Sequence, residues 1–263
     1  MTSTHIAYRA LIAFCIAGVT LITSAAKGAA LSDTIIRVKP SVVIVGLFKS
    51  TSSPRFSLRG TGFVVGNGNQ AITNAHVLPE AAEFDADARL VIQIRLGAND
   101  LQMREAFVLE VDKQHDLALL RFDGAPVSAL TLRDSDTVRE GQSIAFMGFP
   151  IGGVLGFSPV THRGMISSIT AIALPTANSQ QLNARTIASL RSGSFDIFQL
   201  DATAYPGNSG GPMFDADSGE VLGVINMVFV KGTKESALTN PSGISYAIPS
   251  KFILQLLQKR KGN

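Results

Sequence analysis

The chain has 263 residues, 46% hydrophobic and only 16% charged, with Gly 24 and Pro 11 spread along its length. This excludes intrinsic disorder and collagen-like or low-complexity structure, and leaves room for one large domain or two small ones. The net charge of +3 falls to +1 for residues 31–263, because Arg9 and Lys27 are the only fixed side-chain charges in residues 1–30; the one dense basic run, Lys259-Arg260-Lys261, reads as a solvated tail, so no nucleic-acid partner is expected.

The first thirty residues have the order of an export signal. A mostly polar start with Arg9 precedes the uncharged apolar run Ala10–Ile22, and small residues follow as far as Ala30. The run is short for a membrane span, which needs about 20 apolar residues. A signal peptide over 1–30 with cleavage before Leu31 is expected, Ser24 and Ala26 offering a second site; the alternative is an uncleaved anchor that tethers the protein to a membrane. Cys15, the sole cysteine, lies inside this run behind Phe14, so it reads as signal core and not as a lipid attachment site. Residues 31–263 then have no thiol and no disulfide.

Leu31–Val38 is a weak helix candidate. From Ser41 onward the pattern is strand-like and rich in turns. Strands are predicted over Ser41–Leu47, Gly62–Val65, Gln70–Thr73, Ala88–Leu96, Phe107–Val111 and Leu117–Phe122. Leu90, Ile92 and Ile94 share one face of the fourth. The glycines of Gly66–Gln70 have the look of a weak phosphate loop, but Lys and a following helix are missing, so a hairpin turn is expected. A polar linker, about 123–141, is followed by Ser143–Gly148, Val160–Ala173, Ile197–Leu200, Pro212–Phe214, Val221–Val230 and Ile244–Ile248. Leu174–Gly193 reads as a long loop. Six strands on each side of a linker suggest two antiparallel barrels or sandwiches. A terminal helix is predicted over about 250–260, with Ser250 as its cap and Phe252, Ile253, Leu256 and Leu257 at helical spacing.

Three segments carry chemistry. Gly207-Asn-Ser-Gly-Gly-Pro212 places a serine in a turn whose glycines allow backbone N–H groups to converge on an oxyanion. A serine hydroxyl needs a base to take its proton. Thr73-Asn-Ala-His76 supplies a histidine at a strand end, and Asp116 opens the apolar strand Leu117–Leu120. In chain order these are His76, Asp116 and Ser209, one of the known orders of a Ser-His-Asp triad.

On these residues the sequence resembles the trypsin-like serine proteases of the HtrA/Deg type. The matching stretches are Gly60-Thr-Gly-Phe-Val-Val65, Thr73-Asn-Ala-His-Val77, Asp116-Leu-Ala-Leu-Leu120 and Pro206-Gly-Asn-Ser-Gly-Gly-Pro212; weaker ones are Gly148-Phe-Pro150, Gly219–Gly223 and Gly243–Pro249. The resemblance covers roughly residues 36–255 and includes no PDZ segment, so PDZ-mediated peptide sensing is not carried over. It implies an all-β chymotrypsin-like fold of two six-stranded antiparallel β-barrels, about 36–122 and about 142–249, with a C-terminal helix. It implies Ser209 as nucleophile, His76 as general base, Asp116 as its orienting acid, and an oxyanion hole from Gly207 and Ser209 with Asn208 nearby. Thr203, Ala204 and Tyr205 would line the specificity pocket, and Ile225, Asn226 and Met227 would pair with an extended substrate. The family's regulatory loop matches the 174–195 region in position only, and a trimer is implied by the resemblance alone, since the loop Lys49–Arg59 is short.

The expected protein is therefore an exported, periplasmic or secreted serine endopeptidase acting on polypeptides, with no cofactor and no metal. The alternative is a non-catalytic peptide-binding or chaperone-like protein on the same fold. No acid lies between Asp201 and Ser209, and Thr203 stands six residues before the nucleophile, so small or medium apolar P1 residues are expected and an unpaired Lys or Arg is disfavoured. Asn208 has no charge to pair with a freshly cut amine, so no activating N-terminal cleavage is expected. His115 is expected to face away from the site, His162 to have a surface or turn role, and Asp201 to brace the loop.

Overall fold

Several strands of this chain are continuous apolar runs because each is buried on both faces. In the computed structural model, which describes residues 30–83, 86–97, 100–150, 157–171, 195–226 and 244–261, the chain opens with helix α1 (Leu31–Val38). The first six strands are β1 (Val42–Lys49), β2 (Phe56–Val65), β3 (Gln70–Asn74), β4 (Ala88–Arg95), β5 (Leu101–Asp112) and β6 (Leu117–Phe122). They close into an antiparallel barrel in the order β1-β2-β3-β6-β5-β4. The next six are β7 (Ser143–Gly148), β8 (Val160–Ala171), β9 (Asp196–Asp201), β10 (Pro212–Asp215), β11 (Val221–Asn226) and β12 (Ile244–Pro249). They close a second barrel in the order β10-β11-β12-β9-β8-β7, and helix α2 (Ser250–Lys261) follows. Residues 1–29 of the expected signal over 1–30, the loop 174–193 and Met227 lie outside the described residues.

Alternation along each strand divides its side chains between two cores. On β1, Val43 and Val45 point into the first barrel with Leu90, Ile92 and Ile94, while Val42 and Ile44 face the second barrel. Leu119 and Leu120 of β6 split the same way, as do Met147 and Phe146 of β7. The shared core holds residues of both barrels together with Phe252, Ile253 and Leu256 of α2. The linker joins this arrangement: Leu130 N–H donates to Val64 O at 2.9 Å, and Arg133 N–H to Val221 O at 3.0 Å.

Over the described residues the strand predictions hold, with β2 and β5 longer than expected; positions 172–173 and 227–230 of two predicted strands lie outside those residues. The additional residues at the start of both strands are mostly half-buried or exposed and so lacked an apolar signature. Gly66 and Gly68, at φ +65 and +90, make the β2–β3 hairpin turn. Ser250 does not cap α2. Its hydroxyl donates to Arg133 O at 2.5 Å, and Ser135 Oγ accepts the Lys251 N–H at 3.0 Å instead. Asp201 has an exposed side chain and does not brace the nucleophile loop.

Asp215, at the end of β10, anchors the turn into β11. Its carboxylate accepts the N–H groups of Ser218 (2.9 Å) and Asp217 (3.1 Å) and the Gln142 amide (2.7 Å). Burial raises its carboxyl, but these bonds and the nearby Arg133 outweigh that and hold it below the ordinary value of 3.8. A lowered native value gives stability that is complete above the unfolded value and is lost as pH falls through the native one. Asp215→Asn should therefore lower stability at neutral pH and flatten the acid limb below 3.8. Denaturant melts of both proteins across this range check it; parallel acid limbs contradict it.

Candidate active site

His76 sits on a short 3-10 turn, Ala75–Val77, directly after β3. Asp116 sits in the β5–β6 turn, at φ +53, a left-handed conformation that Asp adopts more readily than most residues. Asp112 shapes that turn by accepting the N–H groups of Gln114 (3.0 Å) and His115 (3.1 Å). The β3–β6 pairing then brings the two ends together. Ala75 N–H and the Asn74 amide both donate to Asp116 O at 3.0 Å. His76 N–H donates to Asp116 Oδ1 at 2.9 Å, and its ring Nδ1–H donates to Oδ2 at 2.5 Å. With the proton on Nδ1, Nε2 is the basic nitrogen.

Asn226, at the end of β11, adds a third bond: its amide donates to Asp116 Oδ2 at 2.7 Å. Both carboxylate oxygens are thus engaged, one by groups from both barrels. Sequence reading placed Asn226 against substrate and missed this role, because only the approach of β11 to the β5–β6 turn shows it. The side-chain bond leaves the expected backbone pairing of Asn226 with substrate untouched, whereas the backbone of Ile225 is already engaged. Its N–H donates to Gly211 O (2.9 Å) and its carbonyl accepts the Gly210 N–H (3.0 Å), so its backbone is committed to the serine loop and cannot pair with a substrate.

Ser209 is nearly buried, in a loop that needs its glycines. Gly207 and Gly210 have φ +102 and +85, and a Cβ on Gly210 would fall 2.1 Å from Thr61 O. Thr61 holds the loop from the first barrel: its N–H donates to Ser209 O (2.8 Å) and its hydroxyl to Gly207 O (2.7 Å). Among the described residues, no group takes the N–H of Gly207 or Ser209, whereas Asn208 N–H donates to Tyr205 O at 2.9 Å. Asn208 is therefore not a backbone donor to an oxyanion, and the two free donors are those of Gly207 and Ser209. Ser209 makes no hydrogen bond to His76 at this geometry; such contacts often tighten only with substrate.

Thr203 and Tyr205 are half-buried and Ala204 is buried. Ser245 of β12 pins this segment by accepting Ala204 N–H and donating to Ala202 O, both at 2.8 Å. His115 faces away from Ser209. Its Nδ1–H donates to Asp112 Oδ2 at 2.6 Å, and its ring stacks on Phe252 of α2 at 3.8 Å. His162 is not a surface or turn residue: it is half-buried within β8, stacked on Phe146, with Nε2 at 3.4 Å from the Asn208 amide nitrogen. Among the described residues, no group of three or more His, Cys, Asp or Glu is placed to hold a metal ion.

A family model for the trypsin-like peptidase domain matches residues 60–224, a span that contains His76, Asp116 and Ser209. The chain belongs to the trypsin-like peptidase family. Similar curated proteins include a probable periplasmic serine endoprotease DegP-like from Marinomonas sp. (strain MWYL1), 29% identical over 204 residues, covering 78% of this chain and 36% of that protein. Serine protease HTRA4 of Mus musculus is 30% identical over 226 residues, covering 84% of this chain and 39% of that protein. The chain thus spans well under half the length of these relatives. The solved structure of the HtrA-type protease AlgW with tripeptide superposes with a TM-score of 0.61 at 27% identity, covering 87% of this chain and 62% of that one.

In this trypsin-like peptidase the Asn226–Asp116 bond has a measurable consequence. A hydrogen bond to a charged group contributes about 1.5–3 kcal/mol. Asn226→Ala should lower kcat by about 10- to 100-fold with little change in KM. Steady-state kinetics on labelled casein check this; a folded variant with unchanged kcat contradicts it.

Proposed function

We propose that this chain is an exported serine endopeptidase that cleaves unfolded or damaged polypeptides through Ser209, His76 and Asp116. The observation that carries the reading is the His76–Asp116 pair, with both carboxylate oxygens engaged, beside a serine loop that keeps two N–H groups free. Ser209 Oγ attacks the scissile carbonyl carbon while His76 Nε2 takes its proton. The oxygen that becomes negative is received by the Gly207 and Ser209 N–H groups. The tetrahedral intermediate collapses, the amine leaves with the proton from His76, and an acyl-enzyme remains. Water, deprotonated by His76, then attacks the ester and releases Ser209. Asp116 fixes the Nδ1–H tautomer and stabilises the imidazolium formed in both halves.

Export is supported by the signal-like order of residues 1–30 and by relatives described as periplasmic. Among the described residues no helix is long and apolar enough to cross a membrane. The segment Thr203–Tyr205 carries no charge, which supports small apolar P1 residues over Arg or Lys.

Ser209→Ala should reduce casein cleavage by about 10⁶-fold, and Asp116→Asn by about 10⁴-fold through loss of the correct tautomer. Undiminished cleavage by Ser209→Ala sinks the assignment. A peptide-library profile should favour Ala or Val at P1, and dominance of Arg or Lys there rejects the pocket reading. Exported protein should begin near Leu31 by N-terminal sequencing, and an intact Met1 in a membrane fraction rejects cleavage.

A further inference from the structure

We propose that His162 is a positioning residue that braces Asn208 and thereby holds the Gly207 and Ser209 N–H groups in register for the oxyanion. This rests on the Ser209 reading above and adds to it a residue outside the triad.

Asn208 is wholly buried, although its side chain is a primary amide. It stands between the two residues whose N–H groups are free. Its backbone is fully used, the N–H donating to Tyr205 O and the carbonyl accepting Gly211 N–H, both at 2.9 Å. Its side chain has nowhere to relax. Oδ1 has no hydrogen-bond partner among the described residues and lies against Gly148, where a Cβ would come within 2.7 Å of it. A buried amide left unpaired is destabilising. Among the described residues, the polar group that reaches this amide is the His162 imidazole, with Nε2 at 3.4 Å from Nδ2.

The imidazole is itself held rigidly. His162 lies directly opposite Phe146 in the β7–β8 register, and the two rings stack at 4.7 Å with 14° between their planes. The Tyr205 ring lies 6.1 Å away on the loop side. Burial pushes the His162 pKa down, which favours the neutral ring. A neutral imidazole has one donor and one acceptor nitrogen, so it can match the amide in either orientation. Nε2 accepts from Nδ2 as placed; with the amide turned over, an Nε2–H donates to Oδ1 and pairs the orphan oxygen.

The loop is thereby held from two sides. Thr61 of the first barrel holds the Gly207 and Ser209 carbonyls, and His162 of the second holds the side chain between them. The Ser209 N–H lies in the Asn208–Ser209 peptide, whose carbonyl accepts the Gly211 N–H, and the peptides on either side of it are the ones whose carbonyls Thr61 holds, so a turn of the Asn208 backbone would strain these contacts. Loss of one oxyanion donor costs about 10²- to 10³-fold in kcat, and a misaimed donor loses part of that.

The test uses the full chain, labelled casein and two fluorogenic peptides that differ only in Ala or Val at P1. His162→Phe keeps the stack on Phe146 and removes the nitrogens; His162→Gln restores a polar group. The Phe variant should melt close to wild type and lose about tenfold or more in kcat, equally on both peptides, with KM nearly unchanged. His162→Gln should recover most of the loss. In an Asn208→Ala background, His162→Phe should have no further effect. Wild-type kcat in His162→Phe overturns the proposal, as do full additivity with Asn208→Ala and a change confined to KM or to one P1 residue. If the Phe variant does not fold, His162→Leu, which also removes the ring nitrogens, decides by the same additivity criterion with and without Asn208→Ala. Full activity in Ser209→Ala would instead remove the triad reading, an outcome distinct from an inert Ser209→Ala beside an unimpaired His162→Phe.

Discussion

One buried threonine connects most of what matters in this molecule. Thr61 is wholly buried, and each of its polar groups is used. Its N–H and hydroxyl hold the Ser209 and Gly207 carbonyls; its hydroxyl also accepts the Phe149 N–H at 3.1 Å, and its carbonyl accepts the Thr73 hydroxyl at 2.7 Å. The serine loop, the start of the segment after β7 and the strand leading to His76 are thus registered on one residue. Valine has the same shape but would leave the half-buried Gly207 carbonyl and the buried Phe149 N–H without this partner, the latter at a cost of about 1–3 kcal/mol. The surrounding glycines exist for this contact, since any side chain on Gly210 would displace the Thr61 carbonyl.

Packing supplies the stiffness that these hydrogen bonds assume. The two barrels share a core to which the first contributes Phe63 and Leu119 and the second contributes Met147 and Val224, with α2 packed against it. Sliding one barrel over the other would open this core and separate the Asn226 amide from the Asp116 carboxylate. The site is therefore placed where two rigid bodies meet across an apolar contact, and its polar groups come from turns at the strand ends. The His115–Phe252 stack extends the same logic, tying the turn that carries Asp116 to the terminal helix.

Much of this was legible in the sequence, because the information is local. Apolar runs bounded by glycine and asparagine mark strands, and His76, Asp116 and Ser209 each lie in a segment that is distinctive by itself. What was not legible depends on contacts between distant segments. Asn226 sits in a strand that could equally have offered its backbone to a substrate; only the path of β11 brings it to Asp116. Ile225 has an unremarkable side chain, and its commitment to the serine loop is a matter of backbone register. His162 has no motif around it, and its significance comes from standing opposite Phe146 on one side and against Asn208 on the other. Ser250 has the right residue type for a cap, yet Ser135, more than a hundred positions earlier, satisfies the helix.

Closure of both sheets has a consequence for association through strand edges. Among the described residues each strand of the two barrels has a hydrogen-bonded neighbour on both sides over at least part of its length, so neither sheet ends in an edge strand. An open sheet exposed to unfolded polypeptide would act as a template and be drawn into aggregates. Closing each sheet on itself reduces that hazard through topology.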